Sequence, residues 1–416
     1  MTERTVVIGN RKLAKYVFDH LVRTGWSVVG VVSPAEELAA SQANYESVAA
    51  LCDRHDVPLH KTSDINDEAT RKWITDQEPS QCLCLGWGQV IRQPILDIPD
   101  RFLGFHASDL PRGRGGAPIN WQILSGESEI TLSLFEYLEE VDAGPIYGKE
   151  RVPIQQRDTV ATILEKIATA AMRLCDRLKE TTPTPDPQST AGATYRPRRQ
   201  PQDGLIDWSQ STRVIFDWIR AQTKPYPGAY SFFAGEQVRV WEASTDDSSA
   251  DPGQSPGTIL DTDGDSVTVA TGIGRINLHR VQRDGYPEQW ADEWATSVGA
   301  ESGDRLTRTA APDDWTYTGI RGSDGAFDYD TALATGETGE ILLVSHSGSN
   351  DPQIDVDVRY GSDVIYEGTL TETSEHLSVT YPAPDEVTAL MVNFYDGSER
   401  IDRRVLKVYP TDGTAI

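Results

Sequence analysis

The chain has 416 residues with 64 acidic against 38 basic side chains, a formal charge of −26; that is more sequence than one core usually organises, so two or three domains are expected. Such a charge argues against a general nucleic-acid binder, whose affinity comes from neutralising phosphates. Only nine of the basic residues are lysines, which fits a halophilic, salt-rich cytoplasm where screening tames self-repulsion, or simply a soluble acidic enzyme.

The chain opens with MTERTVVIG, which lacks a signal-peptide pattern, and no stretch approaches the ~18 apolar residues of a membrane span, so a cytoplasmic protein without membrane contact is expected. TVVIG (5–9), the helical pattern KLAKYVFDHLVRTG and the strand WSVVGVVS then follow one another. Strand, helix and strand in this rhythm predict a parallel α/β sheet with right-handed crossovers. Helices around 44–55 and 66–77 and the strands QCLCLGW and RFLGFHAS continue it. Cys82 and Cys84 alternate in one of these strands, and neither they nor Cys52 and Cys175 have zinc spacing, so all four read as core thiols with no metal. Residues 9–12, 86–91 and 104–109 fall at carboxyl ends of strands, where open α/β sheets bind ligands. The turn IGNR has no G-x-G-x-x-G, which sets aside a nicotinamide-dependent dehydrogenase.

Strands at 131–137 and 146–153 and a helix at about 158–179 complete a first domain, 1–182. Thr, Pro, Gln and Ser make 183–203 a linker, and its Arg196, Arg198 and Arg199 are either a local RNA patch or exposed linker. Short strands with DG, DGD and GIG turns make 204–285 a small β-barrel domain, OB-like in type. Residues 286–312 read as a connector, and 313–416 as an antiparallel β-sandwich with turns about every eight to twelve residues. In that last part Trp315, Tyr317, Tyr360 and Tyr366 are either a sugar platform or cross-strand packing.

The stretch LGFHASDLPRGRGGAPINW ends an apolar run on His106, and VDAGPI places Asp142 in a glycine-bearing turn 36 residues later. A lone histidine is often structural. An imidazole and a carboxylate at adjacent strand ends also form an acid–base pair, the aspartate setting the tautomer.

HASDLPRGRGGAPINW, with DAGPI downstream, resembles the folate-dependent formyltransferases, a family that includes methionyl-tRNA formyltransferase and the sugar N-formyltransferases. LGWGQVIRQPILDIP resembles their folate-lining segment, and GLIDWSQSTRVIFDWIRAQTKPYPGAYSFFAGEQVRVWEA their carboxyl-terminal domain. The resemblance spans roughly 1–285 and implies a Rossmann-like catalytic domain that moves a formyl group from 10-formyltetrahydrofolate to an amine. It implies that His106 stabilises the oxyanion or shuttles protons and that Asp142 holds His106 in place. Gly88, Gln89, Val90, Ile91, Val141 and Asp142 are then expected to meet the pterin through backbone groups. Asn10, Arg11 and Lys12, with Ser108, Arg114 and Asn120, are expected on the acceptor side.

One departure stands out. The family carries asparagine at Gly104, where its amide helps hold the oxyanion. Three readings follow: a substitute donor (Asn120, Gln89, Asn10 or a water), space for a bulky acceptor, or a folate-binding scaffold that no longer transfers. A nucleotide-linked amino sugar is the expected acceptor. Methionyl-tRNA is the alternative, disfavoured by the −26 charge. A homo-oligomer is compatible with the sequence.

Overall fold

The computed structural model describes residues 3–307 apart from 42, 182, 197, 200, 247–253 and 263, and beyond them the strands within 315–408. It divides into two compact units, residues 1–196 and 197–416.

In the first unit, β1 (Arg4–Ile8), β2 (Ser27–Pro34), β3 (Leu59–Thr62), β4 (Gln81–Cys84) and β5 (Arg101–His106) are parallel, in spatial order β3-β2-β1-β4-β5. All but β3 are runs expected from sequence, because strands covered on both faces read as continuous apolar stretches; β3, LHKT, is only partly buried and was not expected. All four residues of β4 are buried, Cys82 and Cys84 among them. The helix α1 (Lys12–Arg23) buries Ala14, Val17, Phe18 and Leu21, a single stripe at helical spacing. Between later strands run α2 (Ala49–His55), α3 (Glu68–Asp76) and α4 (Gln93–Leu96). The helix around 44–55 is thus shorter than expected, because Asn44 lies in a turn, Tyr45 bridges to Arg11 and 46–48 are irregular before Ala49.

After β5 come β6 (Arg114–Gly115), α5 (Pro118–Leu124), β7 (Glu129–Glu136), β8 (Ile146–Pro153), α6 (Val160–Thr181) and β9 (Tyr195–Arg196). Here β7 joins β5 antiparallel and β8 joins β7, making a seven-stranded mixed sheet. The segment expected as a linker does not hang free throughout: β9 pairs in parallel with β6, inside the first unit.

In the second unit, α7 (Thr212–Gln222) is capped by the Ser211 hydroxyl and precedes a curled antiparallel sheet. Its strands are β10 (Ala229–Phe233), β11 (Glu236–Asp246), β12 (Ile259–Asp261), β13 (Val267–Ala270) and β14 (Arg275–Arg283), with β15 (Gln289–Trp290) on β14. The outer strands β10 and β12 are linked through residues 305–307, which bridge to Phe232 and to Thr258. The stretch expected as a connector holds β15 and α8 (Ala291–Val298), whose Trp294 is fully buried against Phe233 at 5.3 Å between ring centroids.

Beyond 313 the described backbone forms two antiparallel sheets, one over 315–345 and one over 354–408. The side chains of Trp315, Tyr317, Tyr360 and Tyr366, and the expected strand HLSVTYPA, lie outside the described residues.

Candidate active site

The strand order reverses between β1 and β4, the topological switch point where open α/β sheets bind ligands. Beyond those two strands lie residues 9–12 and 85–92, and His106 ends the neighbouring β5. His106 is 7 % exposed. Its Nε2 lies 2.7 Å from the Gly113 carbonyl oxygen and its Nδ1 3.4 Å from Oδ2 of Asp142. A carbonyl only accepts, so this contact assigns the ring hydrogen to Nε2 and leaves the lone pair of the neutral ring on Nδ1, facing Asp142.

The Asp142 turn is braced from several sides. Asp142 adopts a left-handed backbone (φ 54°), a conformation aspartate tolerates better than most residues. A Cβ on Gly144 would stand 1.8 Å from the Glu136 carbonyl oxygen, so only glycine lets the turn fold onto the end of β7. Oδ2 of Asp142 accepts from the Gly115 amide at 2.8 Å. Gln188 donates through Nε2 to the carbonyls of Asp142 and Gly144, at 2.8 and 2.7 Å. Arg114 in turn donates to Gln188 Oε1 at 3.0 Å, to Glu140 Oε1 at 2.9 Å and to the Tyr195 hydroxyl at 3.0 Å. Arg114, expected on the acceptor side, therefore turns its guanidinium onto the segments that hold Asp142. Gln188 gave no sequence signal, since it sits in the stretch whose composition reads as linker.

The other expected residues divide in the same way. Ser108 spends its hydroxyl on the Arg112 carbonyl at 2.8 Å, closing its own turn. Asn120 is buried in α5, and Asn10 is buried after β1. Lys12 donates to Glu165 at 2.7 Å, and this hydrogen bond holds its ammonium above the ordinary lysine value. Arg11 lies along the glycines of the β4 loop: its Cδ is 3.1 Å from where a Cβ on Gly86 would be, and its Nη2 3.7 Å from that of Gly88. Arg11 Nε and Trp87 Nε1 are buried donors with no hydrogen-bond partner among the described residues. The 88–92 loop is pinned to 63–66. Gln89 bonds the Ser63 carbonyl and the Ile65 amide at 2.8 and 3.1 Å, and Asn66 bonds the Val90 carbonyl and the Arg92 amide at 2.9 and 2.8 Å. Ile91 is buried, whereas Val90 is 53 % exposed; Leu138, three residues before the half-buried Val141, is 48 % exposed. Each of these two loops thus presents an apolar side chain beside backbone polar groups, which suits a flat heteroaromatic ring.

Tyr137 is a second residue that sequence reasoning missed. Its Cε1 lies 2.3 Å, and its hydroxyl 3.0 Å, from where a Cβ on Gly104 would be. The ring stacks on Phe102 at 5.6 Å, and burial pushes its phenol well above the ordinary tyrosine value, reinforced by the nearby Cys84 and Asp142. Burial likewise raises the nearby Cys84 thiol. A glycine inside an otherwise apolar strand was the available signal, because it marks a close approach. Among the described residues no His, Cys, Asp or Glu cluster is arranged to hold a metal.

The first unit is thus an α/β domain with a mixed sheet and a histidine–aspartate pair beside its switch point, and comparison with known proteins gives the family. The Formyl transferase model matches residues 3–177, and the Formyl transferase, C-terminal domain model matches 198–299. Methionyl-tRNA formyltransferase of Bacillus licheniformis is 30 % identical over 314 residues, 73 % of this chain and 98 % of that one. HypX from Aquifex aeolicus, solved in complex with tetrahydrofolic acid, superposes with a TM-score of 0.53 at 16 % identity, covering 76 % of this chain and 52 % of that one. WlaRD, a sugar 3N-formyl transferase, superposes with a TM-score of 0.50 at 13 % identity over 69 % of this chain and 100 % of its own. The chain belongs to the formyl transferase family. It is a folate-dependent formyltransferase, transferring a formyl group from a folate donor.

Proposed function

We propose that the acceptor is the amine of a nucleotide-linked amino sugar and that His106 and Asp142 carry the transfer. The observation favouring a small acceptor over tRNA is the charge of the second unit. Residues 198–307 hold ten basic against seventeen acidic side chains. Six of those ten are tied to carboxylates: Arg213 and Arg220 to Asp217, Lys224 and Arg280 to Glu288, Arg239 to Asp284 and Arg283 to Glu236. A tRNA backbone is held by free cations that displace counterions, and this surface offers few. Arg196 lies over the Trp121 ring and Arg199 over the Trp218 ring, so each guanidinium is engaged by an aromatic face within its own unit. Arg11, with its unpartnered Nε at the switch point, is the cation suited to a phosphate of a small acceptor.

Gly88 to Ile91 and Val141 to Asp142 would hold the folate donor, which supplies the activated formyl carbon. His106 takes the amine proton on Nδ1, and the Asp142 carboxylate stabilises the imidazolium so formed. Gly113 keeps the ring from turning. We further infer that the bridges through 305–307 close the second unit's sheet into a barrel, and that the two sheets beyond 313 pack face to face as a sandwich.

The test is a panel of acceptors incubated with 10-formyltetrahydrofolate: dTDP-3-aminofucose, other nucleotide amino sugars and methionyl-tRNA. Faster formylation of a nucleotide sugar is expected. Preferential formylation of methionyl-tRNA would overturn this acceptor.

A further inference from the structure

Formyl transfer to an amine needs a place for the amine's proton and a donor for the oxygen that takes up charge. His106 and Asp142 meet the first need in the reading above, on which this inference rests. For the second, the face of β5 that carries His106 is decisive. Gly104 shares that face, two residues and about 6.6 Å away, and offers no side chain. Gln89 has both ends of its amide committed to Ser63 and Ile65.

The space before Gly104 belongs to Tyr137. In the β5–β7 register Gly104 faces Phe135, and Tyr137 lies two residues further on the same face. Phe102 and Phe135 flank the ring at 5.6 and 5.1 Å, and Phe135 also meets the His106 ring edge-on at 6.4 Å. The phenol oxygen stands 3.0 Å from where a Cβ on Gly104 would be. A carboxamide nitrogen borne on that Cβ would stand about 2.4 Å from it. The two donors therefore reach nearly the same shell.

We propose that Tyr137 donates the hydrogen bond that stabilises the formyl oxygen, in the place where β5 offers only glycine. An anionic oxygen is a far stronger acceptor than the nearby Cys84 thiol, so the phenol favours it. The raised phenol keeps its proton through neutral pH and so remains a donor.

In the step itself the amine nitrogen bonds to the formyl carbon, and the carbonyl pair moves onto oxygen. Tyr137 donates to that oxygen and keeps its own proton. The pair then returns, the bond from the carbon to the folate nitrogen breaks, and the proton held at His106 Nδ1 passes to the released nitrogen.

Tyr137→Phe removes only the hydroxyl. Turnover of 10-formyltetrahydrofolate is measured with the best acceptor of the panel above, water included, beside His106→Ala. Calorimetric binding of 5-formyltetrahydrofolate reports folding and the donor site. Tyr137→Phe is expected to lower kcat by ~10²–10³ while leaving the acceptor KM and 5-formyltetrahydrofolate affinity within about threefold. The double variant Tyr137→Ala with Gly104→Asn is expected to recover about tenfold or more over Tyr137→Ala, because the added carboxamide then has room and supplies a donor. If His106→Ala loses turnover and Tyr137→Phe does not, Tyr137 is only a packing residue and the proposal falls while the His106 assignment stands. If both variants keep full turnover, the site assignment falls with it.

Discussion

Arg114 and Arg220 are the two arginines among the described residues with almost no exposure, 1 % and 3 %, and they join different things. Arg220 donates to Asp217 at 2.6 Å within α7, and Arg213 meets the same carboxylate at 2.8 Å from one turn earlier. That network lies within one helix. Arg114 reaches residues 140, 188 and 195, which are 26, 74 and 81 positions away. Its partners include Gln188, which holds both carbonyls of the turn carrying Asp142. The ion pair of Arg220 ties it to its own helix, whereas the hydrogen bonds of Arg114 reach the segments that hold Asp142.

Arg114→Met should sharpen that contrast most. Turnover is expected to fall by ~10² or more, because misplacing reacting groups by ~1 Å costs about that much. Unfolding free energy should fall by about 2–3 kcal/mol, a modest figure since Glu140 stays solvated. Arg220→Met should cost about 1–2 kcal/mol with kcat within about twofold. Steady-state kinetics and thermal melts on both variants check this, and equal effects on turnover would erase the distinction. Gln188→Ala is the milder break: it frees two carbonyls of the Asp142 turn but leaves Arg114 its other partners. A loss of about tenfold in kcat with unchanged 5-formyltetrahydrofolate affinity is expected. Smallest is salt. Screening of the −26 charge should raise the melting temperature of wild-type protein and of both arginine variants between low and multimolar potassium chloride. A flat or falling curve would contradict the halophilic reading.

The same contrast explains what could be read in advance. The Asp217, Arg213 and Arg220 network is legible because residues three and four apart share a helix face. The strands β1, β2, β4 and β5 are legible as buried apolar runs, and α1 by its stripe of Ala14, Val17, Phe18 and Leu21; β3, LHKT, carries no such run and was not foreseen. His106 and Asp142 are legible because strand ends and a glycine-bearing turn carry local signals. Arg114 was seen, but not the direction of its guanidinium. Gln188 and Tyr137 were missed, because each is brought to the site only by contacts with residues distant in sequence. The contact between Tyr137 and Gly104 exists only once β7 pairs antiparallel to β5 in one register, and no spacing in the chain displays that pairing.

The central claim is that His106 and Asp142 work as one unit, the Asp142 carboxylate at 3.4 Å from Nδ1 stabilising the imidazolium formed when that nitrogen takes the amine proton. A double-mutant cycle on formyl transfer tests it directly, using His106→Ala, Asp142→Asn and the combination. Each single change is expected to lower turnover by at least ~10², and the double variant to be little worse than the more damaged single one. Near-full turnover in either single variant, or losses that multiply in the double, would contradict the pair.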